Sequence, residues 1–197
     1  MTPLSEILAL PASAERTAAL AEWLQGLYAS DPPVLVAGAA VELYTGGAYT
    51  TGDLDFVGTV TPAVARALER EGFRRAGRHW VHEEGQVFVE FPAAALDEEV
   101  RAVELRVAGH RVLALAPEPL VVDRLAAWQH WGSAEDGVNA WLVARAAALD
   151  EEELHGLAAR GQVDEALARL LEARRRWESE NPSAEELEAW AQAIPGR

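Results

Sequence analysis

The stretch V-L-V-A-G-A-A-V-E-L-Y-T-G-G-A-Y-T-T-G-D-L-D-F-V, from Val34 to Val57, decides how this chain is read. Gly38 follows a short apolar run, and fifteen residues later Asp53 and Asp55 stand two apart among Leu54, Phe56 and Val57. On an extended chain alternate side chains share a face, so both carboxylates are expected to point the same way. Like charges held side by side call for a cation, and the apolar neighbours make this a buried strand with an acidic edge. That combination suits a divalent metal bound by oxygen, although D-x-D also occurs in ordinary acidic turns.

A third acid has the same need. In Gln86-Val87-Phe88-Val89-Glu90-Phe91-Pro92 one carboxylate interrupts an apolar strand, where an ionised group without a partner is costly to bury. If that strand lies beside the first, Asp53, Asp55 and Glu90 converge on one or two magnesium ions; the alternative is a frayed strand end in water before Pro92. Ahead of them, Ala37-Gly38-Ala39-Ala40 joins a strand to the helical Val41-Glu42-Leu43-Tyr44. Backbone N–H groups at such a junction can point at phosphate oxygens, with Gly38 permitting the turn, although many turns of this kind use glycine for packing alone.

Composition sets the background. At 197 residues, half of them hydrophobic, the chain can bury a substantial core. No apolar run approaches the roughly 20 residues that span a bilayer, and the start M-T-P-L-S-E lacks a basic leader, so a cytoplasmic protein with no membrane partner is expected. With no cysteine, any metal must sit on oxygen or histidine. The net charge of -15 argues against broad nucleic-acid binding while leaving room for a small anion held through metal.

Three zones follow one another. Residues 1–33 are expected to be a helical segment split at Pro11 and ended by Asp31-Pro32-Pro33. Residues 34–116 alternate strand-like runs with one helix from Pro62 to Glu71, capped by Thr61. The strand candidates are Val34 to Ala37, Leu54 to Val57, His79 to His82, Val87 to Phe91, Ala102 to Val107 and Arg111 to Leu115. Residues 117–197 are helical throughout, with breaks at Gly132-Ser133, Leu149-Asp150, Gly161-Gln162 and Asn181-Pro182. The expected fold class is therefore α+β, a mixed sheet flanked by helices with a helical C-terminal part.

In that last zone Leu120, Arg124, Ala127 and Trp131 share a helix face, so Arg124 could reach a triphosphate or pair locally with Asp123. Trp128, His130 and Trp131 could stack a base, or serve as core. Arg174-Arg175-Arg176 beside Trp177 reads as a phosphate contact or as a solvated helix end suited to the dipole. His79 and His82 lack a third nitrogen ligand of suitable spacing, which makes them hairpin surface.

Together these residues resemble the nucleotidyltransferase superfamily related to DNA polymerase beta. Its pattern is an apolar strand, Gly-Gly or Gly-Ser, a short helix, a D-x-D or D-x-E strand and a later acid. Gly38-Ala39, Asp53-Leu54-Asp55 and Glu90 occupy those positions over about residues 34 to 92. A nearer likeness is to the AbiEii toxin-like branch and related bacterial nucleotidyltransferase-fold proteins, whose R-x-T-x-D-h-D segment is matched at Thr51, Asp53 and Asp55, with Tyr49 in place of the arginine. In their later lysine and K-D-x-x-D segment, Arg124 stands where the lysine would be, Asp136 matches, and Glu135 and Asn139 depart.

The resemblance implies magnesium-dependent transfer of a nucleoside monophosphate from a nucleoside triphosphate to an acceptor hydroxyl on RNA, protein or a small molecule. It makes Asp53, Asp55 and Glu90 the metal and catalytic residues, with Glu90 as a base on the hydroxyl. Gly38, Ala39, Thr51, Arg124 and Asp136 would meet the nucleotide, and an antitoxin-like protein would be a partner. The rival from another class is a non-catalytic nucleotide-sensing or protein-interaction module on the same fold, and a third possibility is a nuclease using the same acids.

Overall fold

In the computed structural model, which describes residues 2–195, the chain divides into two compact units, 1–116 and 117–197. The first opens with helices α1 (Leu4–Leu8) and α2 (Ala14–Gln25). Pro11 lies between them, and the Ser13 side chain accepts from the Arg16 N–H to start α2, as an N-cap serine does. Strand β1 (Val34–Val36), helix α3 (Ala37–Thr45), strand β2 (Asp53–Val57) and helix α4 (Pro62–Arg70) follow, α4 capped by Thr61 as its sequence demands. Strands β3 (Arg74–Ala76), β4 (His79–His82), β5 (Val87–Ala93), β6 (Ala102–Val107) and β7 (His110–Leu115) complete the sheet.

The sheet is mixed, as expected, in the order β3-β4-β5-β2-β1-β7-β6. Strand β2 runs antiparallel to β1 and parallel to β5. Its alternation separates the faces: Leu54 and Phe56 are buried, while Asp53 is exposed and Asp55 half-buried. On the buried side Leu54 and Phe56 join Val87 and Val89 of β5, Trp23 and Leu24 of α2 and Val64 and Leu68 of α4 in one apolar core. Burying such a side chain completely contributes about 1.5–3 kcal/mol. Trp23 stacks on Phe73 with ring centroids 5.9 Å apart.

Helix α2 is also pinned by polar contacts. The buried Gln25 amide donates to the Pro33 and Leu113 carbonyls at 2.9 and 2.7 Å, and its oxygen accepts from the Leu113 N–H at 3.0 Å. All its hydrogen-bonding capacity that burial would otherwise orphan is thereby used. Glu22, one turn earlier, accepts from His110 and from the Arg111 N–H.

The second unit is helical: α5 (Pro117–Ala126), a π-helical turn at Ala127–Trp131, α6 (Ala134–Ala146), α7 (Glu151–Arg160), α8 (Asp164–Arg176) and α9 (Ala184–Gln192). Ser133, Asp150 and Ser183 cap α6, α7 and α9, and Ser183 with Glu186 forms a complete capping box. Trp128 is wholly buried, donates to the Ala191 carbonyl at 2.7 Å and packs on Trp190. It is core. Trp131, by contrast, is 84% exposed. A Cβ on Gly137 of α6 would lie 2.9 Å from the Trp128 ring, so only glycine fits beneath that indole.

Candidate functional site

The strand register brings the three acids onto one face. Asp55 is paired with Glu90 across the parallel β2–β5 ladder, and Asp53 with Phe88. Residues directly opposite in a ladder point to the same side of the sheet. Beyond β5, His79 lies opposite Glu90 and Val81 opposite Phe88, which continues the same face.

The side chains do not, however, close into the metal cluster that the sequence suggested. Glu90 is drawn towards β4 and its turn, where its oxygens meet Arg78 Nε at 3.0 Å and His79 Nδ1 at 3.5 Å. Among the described residues no group of three or more histidine or carboxylate side chains is arranged to hold a metal ion. The backbone thus supplies adjacent positions for Asp53, Asp55 and Glu90, and Arg78 occupies the carboxylate that a cation would need. His79 and His82 fall on opposite faces of β4; His82 accepts from the Gly85 N–H at 3.0 Å and meets Phe73 edge-on.

The glycine turn works differently from expectation. The left-handed residue at the β1–α3 junction is Ala37, at φ 52°, which costs about 1 kcal/mol or more for a residue with a Cβ. Gly38 answers a different demand: a Cβ there would lie 3.2–3.3 Å from the Thr51 side chain and the Tyr49 ring. Its absence lets the loop before β2 approach the start of α3. Val36 occupies the N-cap of α3 and supplies no side-chain acceptor there.

That loop is held by a residue outside the sequence motif. Glu42 of α3 is buried, and its carboxylate accepts from the Thr51 N–H at 3.4 Å and from the Thr17 side chain. Burial pushes the Glu42 carboxyl above its ordinary value, against the lowering effect of those two hydrogen bonds. Thr51 Oγ1 in turn accepts from the Asp53 N–H at 3.3 Å. Glu42, Thr51 and Asp53 therefore form a chain of contacts that sets the start of β2. The signal was present in A-A-V-E-L-Y, a lone acid in an apolar helix.

Two cavities adjoin Asp53. A smaller one, about 210 Å³, is lined by Arg16, Thr17, Glu42, Thr51 and Asp53 among others. Arg16 donates through Nη2 to the Gly85 carbonyl at 2.7 Å, and its buried Nε has no hydrogen-bond partner. No sequence motif marks Arg16, because only packing of α2 brings it to this loop. A wider cavity of about 590 Å³ lies along the acidic face, where Arg74, His79 and Phe88 line it with Asp53. Phe88, 40% exposed, presents its ring to this cavity.

Arg124 and Asp136, expected on a nucleotide, meet each other in the helical unit. Arg124 Nη1 donates to Asp136 at 2.7 Å and its other nitrogens to Asp123. Burial alone would lower the guanidinium's pKa, but the two carboxylates outweigh it and hold it above its ordinary value. The local pairing with Asp123 is the one formed, and Asp136 completes it.

The sequence matches no protein-family model and no curated protein. The structure is similar to that of an antigenic nucleotidyltransferase-like protein from Paracoccidioides brasiliensis, with a TM-score of 0.59 and 16% identity over 90% of this chain and 99% of that one. The fold is nucleotidyltransferase-like. At that identity the likeness speaks for architecture, and function has to be argued from the site. The β2–β5 face with its three acids is one place where chemistry-bearing side chains gather beside open cavities. Among the described residues no helix is long and apolar enough to cross a membrane.

Proposed function

We propose that the chain transfers a nucleoside monophosphate from a nucleoside triphosphate to an acceptor hydroxyl at the β2–β5 face. The observation that supports this best is that Asp53 lines both cavities, as a group serving two reactants must. In this scheme the smaller cavity takes the phosphate end of the donor. Arg16 Nε and the Thr51 hydroxyl donate to phosphate oxygens there, and Glu42 holds Thr51 in place from behind. The wider cavity takes the acceptor, with Phe88 as an apolar platform.

Three carboxylates on one face are the donor set a hard divalent cation prefers, so magnesium suits Asp53 and Asp55, with Glu90 joining once it leaves Arg78. When bound, magnesium would supply charge stabilisation at the transferred phosphoryl group. In this reading Glu90 takes the proton from the acceptor hydroxyl, which then attacks the α-phosphorus while pyrophosphate departs. Positioning by the protein provides most of the remaining effect. The net charge favours a small molecule or protein side chain over RNA as acceptor. A toxin-like role would require a macromolecular acceptor and an antitoxin-like protein partner.

Calorimetric titration of ATP, GTP, CTP and UTP with and without magnesium tests the proposal. Magnesium-dependent binding of at least one triphosphate, lost in the Asp53→Asn/Asp55→Asn variant, is the expected result; no binding of any triphosphate defeats it. A second reading, a non-catalytic nucleotide-sensing or interaction module, is favoured by the engagement of Glu90 with Arg78 and His79. It predicts triphosphate binding without transfer.

A further inference from the structure

The helical unit contains a cavity of about 480 Å³ on which three arginines converge, with two glutamates, Glu151 and Glu178, in the same lining. Arg145 from α6, His155 from α7 and Arg174 and Arg175 from α8 line it, with Trp141 and Trp177 as its aromatic side. The position of Arg174 and Arg175 in the last turn of α8 suits the helix dipole and needs no ligand. Arg145 stands likewise in the last turn of α6, so the dipole suits its charge too; what the dipole leaves unexplained is that these helix ends, with His155 from the middle of α7, converge on one cavity.

These charges are also poorly neutralised. Arg145 Nε donates to the neutral Asn181 side chain at 3.3 Å. Among the described residues, Arg174 and Arg175 make no side-chain hydrogen bond or ion pair, although Glu151 and Glu178 belong to the same lining. In a chain of net charge -15, three guanidinium groups set against two carboxylates leave a positive excess around this concavity, opposite in sign to the whole. Trp141, 5% exposed, adds a buried indole N–H with no acceptor, a donor that burial penalises while it stays unmet. Trp177 stands edge-on to it at 6.0 Å.

We propose that this cavity binds a phosphate-bearing small anion. Guanidinium groups match phosphate oxygens with paired, charge-assisted hydrogen bonds, and the tryptophan side offers an apolar surface to the organic part. The volume lies within the roughly 300–1,000 Å³ of small-ligand sites. An extended nucleic acid is disfavoured because it would meet the acidic remainder of the surface. The lining residues all belong to the helical unit, so this site stands whether or not the sheet face transfers nucleotides.

The test is calorimetric titration of inorganic pyrophosphate into the full-length protein at low salt with EDTA present. Wild type and the Asp53→Asn/Asp55→Asn variant should bind alike, which separates this site from the sheet face. The Arg174→Gln/Arg175→Gln variant should lose roughly tenfold or more in affinity. Arg145→Gln, on a different helix, should lose a similar amount, so the result does not hang on one variant keeping its fold. Failure of wild type to bind, undiminished binding in both arginine variants, or loss confined to the aspartate variant would each overturn the proposal.

Discussion

On the sheet face Asp53, Asp55 and Glu90 are gathered by backbone register, because β2 and β5 pair with Asp55 opposite Glu90. In the helical cavity Arg145, His155, Arg174 and Arg175 are gathered by the meeting of α6, α7 and α8. The first arrangement comes with its own counter-charge, Arg78 on Glu90. The second has arginines without a carboxylate partner. Glu90, already paired with Arg78, must exchange that contact to join a cation, whereas the arginines of the cavity have, among the described residues, no ion pair to give up. Charge regulation is therefore expected to act on the acidic face and simple ionic strength on the basic cavity.

The comparison can be broken most severely at Glu90. Replacement by glutamine removes a ligand or base, and transfer activity should fall beyond the roughly 10–100-fold typical of groups one shell further from a metal, while pyrophosphate binding in EDTA stays unchanged. An initial-rate assay beside the calorimetry reads both.

Gly137→Ala attacks the other side. The new Cβ meets the fixed indole of Trp128 at 2.9 Å, and overpacking of about 1–3 kcal/mol exceeds the gain of about 1 kcal/mol from replacing a helical glycine. Thermal unfolding should shift down by about 2–4 °C for each kcal/mol of net loss, and anion binding should weaken because α6 carries Trp141 and Arg145.

Arg78→Ala sharpens the contrast with a gain. Freed from that guanidinium, Glu90 should take part in cation binding more readily, raising magnesium affinity severalfold in a metal titration. A purely structural Arg78–Glu90 pair would leave that affinity unchanged or lower it.

The smallest expected effect is at Glu42. Its carboxyl is held above the ordinary value of 4.5 chiefly by burial. Stability from this group is full below that ordinary value and is lost as pH rises through the raised native one. Glu42→Gln should flatten that part of the profile in chemical denaturation measured across acidic to neutral pH, with a hydrogen-bond acceptor kept for Thr51.

The parts legible in the sequence were those governed by short-range pattern. The alternation of apolar and polar residues located β2, β4 and β6 to within a residue, and Thr61, Ser133 and Asp150 announced helix starts through side chains that do cap, whereas the break at Asn181-Pro182 is capped further on by Ser183 and the one at Gly161-Gln162 by no side chain. Strand β3 was not legible, because Arg74-Arg75-Ala76 has no apolar alternation and becomes a strand only by pairing with β4. The π-helical turn at Ala127–Trp131 reads as ordinary helix in composition and differs only in its hydrogen-bond register.

At the site, D-x-D and the lone Glu90 gave the positions of the acids, and strand pairing then supplied their adjacency. What escaped was everything set by tertiary contact. Arg78 reaches Glu90 across a turn, Arg16 arrives on a packed helix, and Gly38 is required by Thr51 and Tyr49 thirteen and eleven residues away rather than by its own backbone angle. The same holds for Arg145 and His155, which acquire meaning only beside α8.

The most direct test of nucleotidyl transfer at the β2–β5 face is incubation of the protein with magnesium, α-labelled nucleoside triphosphates and cell extract. Covalent label on an acceptor with matching release of pyrophosphate, absent in the Asp53→Asn/Asp55→Asn variant, is the expected result. Triphosphate binding with no label passed to any acceptor, or transfer undiminished in that variant, would contradict it.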